Sequence, residues 1–256
     1  MPDTETTSID ICVEIFLECN QAIAQGSLIS RLNRQDKEFH FQNWFEQRLK
    51  ETKVYYEQPG RNSYPDFTLV QAPMGYEVKG LAWPGREADY DCNSQVPSGC
   101  HNGRTIYYVF GRYPSGANEN EYPVIDLIIC HGDFLNSNHD YIHKNKSFSG
   151  FGSYGDLKIR DRKMYIAPTP YGLLTGVDRQ VTLILPQDYP QDSRLQSVGN
   201  LTRIEADQQV IGYSFNLNTN QIMPEYQKNP SSGKTHSFVA YRPRGINSPA
   251  VAMKHP

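Results

Sequence analysis

Asp66, Glu77 and Lys79 are the residues of this chain whose types and spacing point most directly to chemistry. The run Asp66-Phe67-Thr68-Leu69-Val70 alternates, breaks at Gln71-Ala72-Pro73-Met74-Gly75, and resumes as Tyr76-Glu77-Val78-Lys79-Gly80. A Pro and a Gly inside a short connector predict a β-hairpin or a tight pair of strands. Side chains two apart on a strand share a face, so Glu77 and Lys79 point the same way, and Asp66 approaches from the neighbouring strand. Two carboxylates beside an ammonium are costly in a core and useful for holding a magnesium ion. The competing reading is a surface hairpin in which Glu77 and Lys79 form an ordinary exposed ion pair.

The chemistry such a set suits is hydrolysis of a phosphodiester. That reaction needs an activated water, a polarised phosphate oxygen and a stabilised leaving oxyanion, and Mg²⁺ bound through a few carboxylate oxygens serves all three. Asp66 and Glu77 supply such oxygens, with the Val78 carbonyl as a further ligand. Lys79 is placed to orient or deprotonate the water and to offset charge on the phosphate. Desolvation of the site is expected to lower the Lys79 pKa.

Pro65-Asp66, ten intervening residues and Glu77-Val78-Lys79 resemble the motif of the PD-(D/E)xK nuclease superfamily, and the chain as a whole resembles a type II restriction endonuclease. The match covers residues 65–79 and extends to about residue 36 with the helix ahead of it. The resemblance implies a helix before a central mixed β-sheet, with the motif on two adjacent strands. It also implies Mg²⁺-dependent cleavage of double-stranded DNA, usually by a homodimer whose two-fold axis meets a palindromic site.

The elements that must position the motif can be read around it. Phe41, Trp44, Phe45 and Leu49 fall at helical spacing within about residues 36–51, with Asp36 as cap. Many relatives in the superfamily carry an acid on this helix that reaches the metal, and Glu46 is the best-placed candidate, with Glu38 and Glu51 also available. The alternative is that Glu46 is solvated or paired with Lys50 four residues on. An earlier amphipathic helix is predicted over Ile9–Ala24 from Ile9, Cys12, Val13, Phe16 and Ile23, closing near Gly26. Thereafter helical periodicity almost vanishes. Strand-like runs follow at Thr105–Phe110, Val124–Cys130, Met164–Ala167, Val181–Leu185, Val210–Asn216 and Ser237–Arg242, with connectors rich in Gly, Pro, Asn and Ser. The expectation is a single α+β domain with one substantial core: N-terminal helices, a central mixed sheet and a β-rich C-terminal half.

The superfamily usually places a helix after the motif strands, and residues 81–104 offer none. That stretch is polar and loop-like, and it brings Asn93, Ser94, Gln95, His101, Asn102 and Arg104 close behind Lys79, as candidates for contacts to base edges or phosphates. Arg104 and Arg112 are phosphate clamps or partners of nearby acids. Arg242 and Arg244 lie two apart on a strand and could present both guanidiniums to DNA, or could guard a sheet edge. The glycine-rich loop 147–155 is a connector or a DNA-closing segment.

Composition bounds the rest. A net charge of −3 argues against coating nucleic acid by bulk charge, although basic residues concentrate at 141–163 and after 226, and residues 1–30 carry five acids with no Lys or Arg. Five cysteines without a CxxC pair, no apolar run long enough to span a bilayer, and a start without a basic signal segment point to a cytoplasmic protein. Gly233-Lys234-Thr235 lacks the first glycine of a phosphate-binding loop. His131, Asp133, His139, Asp140 and His143 lack the spacing of a zinc site. Two alternatives stand beside the restriction enzyme: a repair or modification-dependent nuclease with the same core, and a non-catalytic β-rich binding protein.

Overall fold

The computed structural model describes residues 8–31, 39–57, 63–85, 87–93, 96–116, 120–139, 153–154, 158–161 and 164–253. Helix α1 (Ser8–Ala24), strand β1 (Leu28–Ser30) and helix α2 (Phe39–Glu51) come first. Then follow β2 (Tyr56–Glu57), β3 (Phe67–Leu69), β4 (Met74–Trp83), β5 (Asp89–Asn93), β6 (Cys100–His101), β7 (Arg104–Pro114), β8 (Glu121–Pro123) and β9 (Asp126–His131). After a 3₁₀ turn at Gly132–Phe134 come β10 (Lys158–Asp161), β11 (Met164–Pro168), the single-turn α3 (Pro170–Leu173), β12 (Leu174–Thr175) and β13 (Val181–Pro186). The chain continues through β14 (Leu195–Ile204), β15 (Gln208–Asn216), β16 (Gln221–Lys228), β17 (Thr235–Pro243) and β18 (Ala252–Met253).

The fold is α+β, organised on one large mixed sheet of order β14-β17-β13-β9-β7-β4-β3-β2, with β6 also paired to β7. Two pairs in it are parallel, β4 with β7 and β9 with β13, and the other pairs are antiparallel. A parallel pair needs a crossover, which is ordinarily helical. Here residues 84–103 make it with β5, which leaves to pair with β11, and with β6, which returns to β7. The absence of helical periodicity in residues 81–104 therefore reflects a crossover built of strand and loop.

The sheet divides the core in two. Tyr76, Val78, Tyr107, Val109, Leu127, Ile129 and Leu183 face α1 and α2. Leu81, Ile106, Tyr108, Phe110, Ile128, Cys130 and Ile184 face the other way, against Tyr90 and Cys92 of β5, Ala167 of β11 and Val210 and Tyr213 of β15. Helix α2 is seated by close approach. Phe41 is 2% exposed, and its ring lies over Gly111 of β7, where an added Cβ would meet Phe41 Cζ at 2.1 Å. Gly80 of β4 fits under the same side chain, with 2.8 Å from an added Cβ to Phe41 Cβ. Phe45 continues the contact onto Phe67 and Tyr76, with ring centroids 5.9 and 5.4 Å apart. Gly111→Ala is expected to cost about 1–3 kcal/mol by overpacking, measurable as a lower midpoint of chemical denaturation.

A buried charge cluster fixes the far end of β7. Arg112 is 3% exposed and Asp126 is fully buried. Arg112 Nε donates to both Asp126 oxygens at 2.9 and 3.1 Å, and Tyr171 and the Arg179 N–H donate to the same carboxylate at 2.6 and 2.8 Å. Of the two readings of Arg112, pairing with nearby acids is the one the fold shows.

Candidate active site

The sequence forms the site by register. Phe67 of β3 is paired with Tyr76 of β4, so one step back along β3 and one forward along β4 sets Asp66 against Glu77. Gly75 permits this: an added Cβ there would lie 2.4 Å from Pro65 Cγ, so the Pro65-Asp66 segment lies directly on β4. The Asp66 N–H donates to Glu77 Oε2 at 3.2 Å, and the Val78 N–H donates to Asp66 Oδ2 at 2.8 Å. Lys79 Nζ lies 2.6 Å from Glu77 Oε1. The N–H and C=O of one strand residue point to the same neighbour, so the Val78 carbonyl lies on the side of β4 that Asp66 occupies. All three expected residues thus converge, on the face of β4 opposite α1 and α2.

Burial makes this more than a surface ion pair. The Glu77 side chain is 12% exposed and that of Lys79 is 23% exposed, so water still reaches the group. Burial, and then repulsion from Glu77, push the Asp66 carboxyl up to about 7, against the pull of Lys79 and of the Val78 N–H. Burial lowers the Lys79 pKa, but Glu77 and Asp66 outweigh it and hold the ammonium above its ordinary value. The expectation that desolvation would lower the Lys79 pKa is therefore corrected, because two carboxylates lie within reach.

Two acids this close, one of them half protonated near neutrality, form a site that gains from added positive charge. Among the described residues no three His, Cys, Asp or Glu side chains converge as a metal-holding group. The donor set is Asp66, Glu77 and the Val78 carbonyl, which fits Mg²⁺, since that ion is usually held by one or two carboxylates plus water and substrate phosphate.

The Asp66 shift also carries a stability consequence. Its folded value lies above the ordinary carboxylate value, so its contribution is fully favourable below about pH 4 and is lost as pH rises through about 7. Asp66→Asn is therefore expected to be more stable than the native chain near pH 8, by about 1–3 kcal/mol after allowance for partial solvent access. The difference should vanish near pH 4, as read from urea denaturation at the two pH values.

The other expected residues are placed differently. Glu46 accepts from the Tyr56 hydroxyl and lies 3.3 Å from Lys50, on a helix packed against the opposite face of β4. The alternative of pairing with Lys50 is the arrangement present, and Glu46 is not brought to Glu77. Arg242 is fully buried, donating to the carbonyls of Gly176 and Pro249 and to Thr182 Oγ1, so it is unavailable to DNA. Arg242 and Arg244 do not share a strand face, because β17 ends between them and Arg244 turns back to the Ser193 and Leu195 carbonyls. Arg104 caps the carbonyls of Leu69 and Ala72 at 3.0 and 3.5 Å, which ties β7 to the β3–β4 turn. His101 is half-buried, with its pKa lowered by burial, and its ring stands edge-on to Tyr64 at 4.8 Å between centroids. Exposed Asn102, bonded to His101 at 3.1 Å, keeps access to solvent at the tip of the β6–β7 turn. The Asn93 backbone lies in β5, and Ser94 and Gln95 fall outside the described residues, as does nearly all of loop 147–155.

Two groups that the motif gave no reason to select lie behind the site. The Tyr64 and Tyr108 hydroxyls are 2.7 Å apart, and Tyr108 is the Cα partner of Glu77 across the β4–β7 ladder. Cys92 and Tyr90 of β5 back the same face, and burial pushes the Cys92 thiol up to about 12. A sequence signal existed only for Tyr64, as the neighbour of Pro65. Elsewhere, His139 lies 2.5 Å from Asp133 Oδ1 and His131 Nδ1 is 3.7 Å from Oδ2, while Asp140 and His143 fall outside the described residues. Ser137, His236 and Glu205 also meet, but the same His236 nitrogen faces both Ser137 and Glu205, at 3.1 and 2.9 Å. A serine relay needs the two ring nitrogens to serve different partners.

No family model, no curated protein and no solved structure matches this chain.

Proposed function

We propose that this chain is a Mg²⁺-dependent endodeoxyribonuclease of the type II restriction class, cutting double-stranded DNA at a short specific site as a homodimer. The observation that carries the reading is the convergence of Asp66, Glu77 and Lys79 on adjoining strands, with Lys79 2.6 Å from Glu77 and Asp66 gripping the Val78 N–H. A bound magnesium ion would supply Lewis-acid polarisation of the phosphate and a water of lowered pKa. The chain's own residues divide the remaining work. Asp66, Glu77 and the Val78 carbonyl would hold the cation. Lys79, which the two carboxylates favour as an ammonium, would orient the attacking water by donation and offset charge on the phosphate. Glu77 and Lys79 keep part of their side-chain surface in water, and a DNA backbone would enter by that opening.

Phosphate contacts fall to surface groups around this opening, since Arg104, Arg112 and Arg242 are engaged in holding the fold. Among the described candidates for a DNA contact, Asn102 and Arg244 are exposed. The test is incubation of unmethylated phage DNA with Mg²⁺, with and without EDTA. Discrete fragments that EDTA abolishes support the reading. A metal-dependent smear favours a nuclease without tight sequence choice, and intact DNA under all conditions, methylated substrate included, favours the β-rich binding protein.

The cation site gives a pH dependence with a defined sign. Carboxylates must be ionised to bind a cation. With Asp66 at about 7, the Mg²⁺ concentration needed for half-maximal cleavage is expected to rise about tenfold per pH unit below neutrality and to level off above about pH 8. Cleavage rates at a series of Mg²⁺ concentrations and pH values measure this directly.

A further inference from the structure

We propose that Tyr64 is a positioning residue for the cation site, its hydroxyl bond to Tyr108 fixing the Pro65-Asp66 segment beside Glu77. The inference rests on the reading of Asp66 and Glu77 as a cation-holding pair, and it concerns what holds them at the right separation.

Asp66 precedes β3, so the sheet ladder that begins at Phe67 does not hold its backbone. Its two polar contacts, to Glu77 Oε2 and from the Val78 N–H, run through the same carboxylates that a cation would engage. A segment held only by those groups would loosen as they turned toward a metal. The Tyr64 hydroxyl supplies an independent anchor, 2.7 Å from that of Tyr108. Tyr108 is 1% exposed and sits in the central strand β7, opposite Glu77 in register. One hydroxyl–hydroxyl bond therefore ties residue 64, two before Asp66, to the strand position beside Glu77.

The surroundings keep this bond in one geometry. The Tyr64 ring is held edge-on by His101, with centroids 4.8 Å apart. The Tyr108 ring packs against Tyr90 and Phe110 at 6.2 Å from each. Pro65 is pressed onto Gly75, so the segment cannot move toward β4 without collision. Partners outside the ligand set orient ligands in this way in metal sites generally, and losing one costs about 10–100-fold in affinity or activity. The hydroxyl of Tyr56 makes a useful contrast, since it donates to Glu46 beside the helix-covered face.

The test is Mn²⁺ binding in the absence of DNA, followed by loss of the free-ion electron paramagnetic resonance signal. Mn²⁺ serves as the probe because it shares the oxygen-ligand preference of Mg²⁺. Tyr64→Phe keeps the ring and removes only the hydroxyl, and is expected to weaken Mn²⁺ binding by about tenfold. Tyr108→Phe should weaken it equally, the double variant no further than either single one, and Tyr56→Phe not at all. Unchanged binding in Tyr64→Phe, alongside loss of binding in Asp66→Asn, would overturn the tether and leave the cation site standing. Additive losses in the double variant would overturn it too, because two hydroxyls that act through one bond cannot be removed twice. Native-like binding in Asp66→Asn would overturn the cation site itself and the tether with it.

Discussion

Lys79→Ala is expected to slow single-turnover DNA cleavage at saturating Mg²⁺ by about 10²–10⁴-fold, the range associated with loss of one positioned charge or proton-handling group. Its nearest neighbour is Glu77 Oε1 at 2.6 Å, and the two carboxylates keep it protonated although burial opposes this. This arrangement favours charge stabilisation over proton abstraction as its role, and Lys79→Arg discriminates the two. A guanidinium does not deprotonate in proteins, so a general base would be lost as fully in the arginine variant as in the alanine one. Partial recovery in Lys79→Arg supports charge stabilisation, and equal loss in both favours proton abstraction. A second effect has a definite sign. Lys79 pulls the Asp66 carboxyl down, so its removal lets that carboxyl rise further above about 7. The acid limb of the remaining activity should move to higher pH in Lys79→Ala.

Arg112→Ala is expected to cost about 3–5 kcal/mol of folding stability, the usual consequence of leaving one half of a buried ion pair behind. The carboxylate left behind is fully buried, with the Tyr171 hydroxyl and the Arg179 N–H as its remaining donors among the described residues. The loss also removes a guanidinium stacked 4.3 Å from the Tyr171 ring centroid and 5.1 Å from that of Trp83, at the end of β4. Urea denaturation measures the effect. Replacing both partners with apolar residues of similar size, as in Arg112→Met with Asp126→Leu, should recover part of the loss, because the cost lies mainly in the stranded charge. A single substitution costing under about 1 kcal/mol would mean that water reaches Asp126.

Local pattern revealed the frame of the fold, and long-range pairing was out of its reach. Apolar spacing placed α1 within one residue and the end of α2 at Glu51, while the expected start and cap at Asp36, and Glu38, fall outside the described residues. The six strand-like runs correspond to β7, β9, β11, β13, β15 and β17. Strands β14 and β16 escaped notice for physical reasons. Leu195–Ile204 is an edge strand whose burial alternates only over its last four residues, and Gln221–Lys228 is exposed along nearly its whole length, so neither carries a sustained period-two pattern. Asp66, Glu77 and Lys79 were legible because one short-range register brings them together. Glu46 was misplaced because helical spacing shows which stripe is buried without showing which face of the sheet receives it. Arg242 was misread for a related reason. A strand pattern shows that residues share a face, whereas burial of a guanidinium at Gly176 and Pro249 depends on distant carbonyls. Tyr108 lay furthest from view, thirty-one residues beyond Glu77 and beside it only through a parallel crossover.

On the proposed reading, the Asp66–Glu77 pair with Lys79 beside it makes this chain a site-specific nuclease. The most direct test is to sequence the DNA ends produced by the native protein and by Glu77→Gln, purified in parallel and given the same phage DNA with Mg²⁺. The native protein is expected to give ends that share one short sequence, and the variant to leave the DNA intact. Ends scattered without a shared sequence would contradict site-specific cleavage, and the same ends from both proteins would place the activity outside the Asp66–Glu77–Lys79 site.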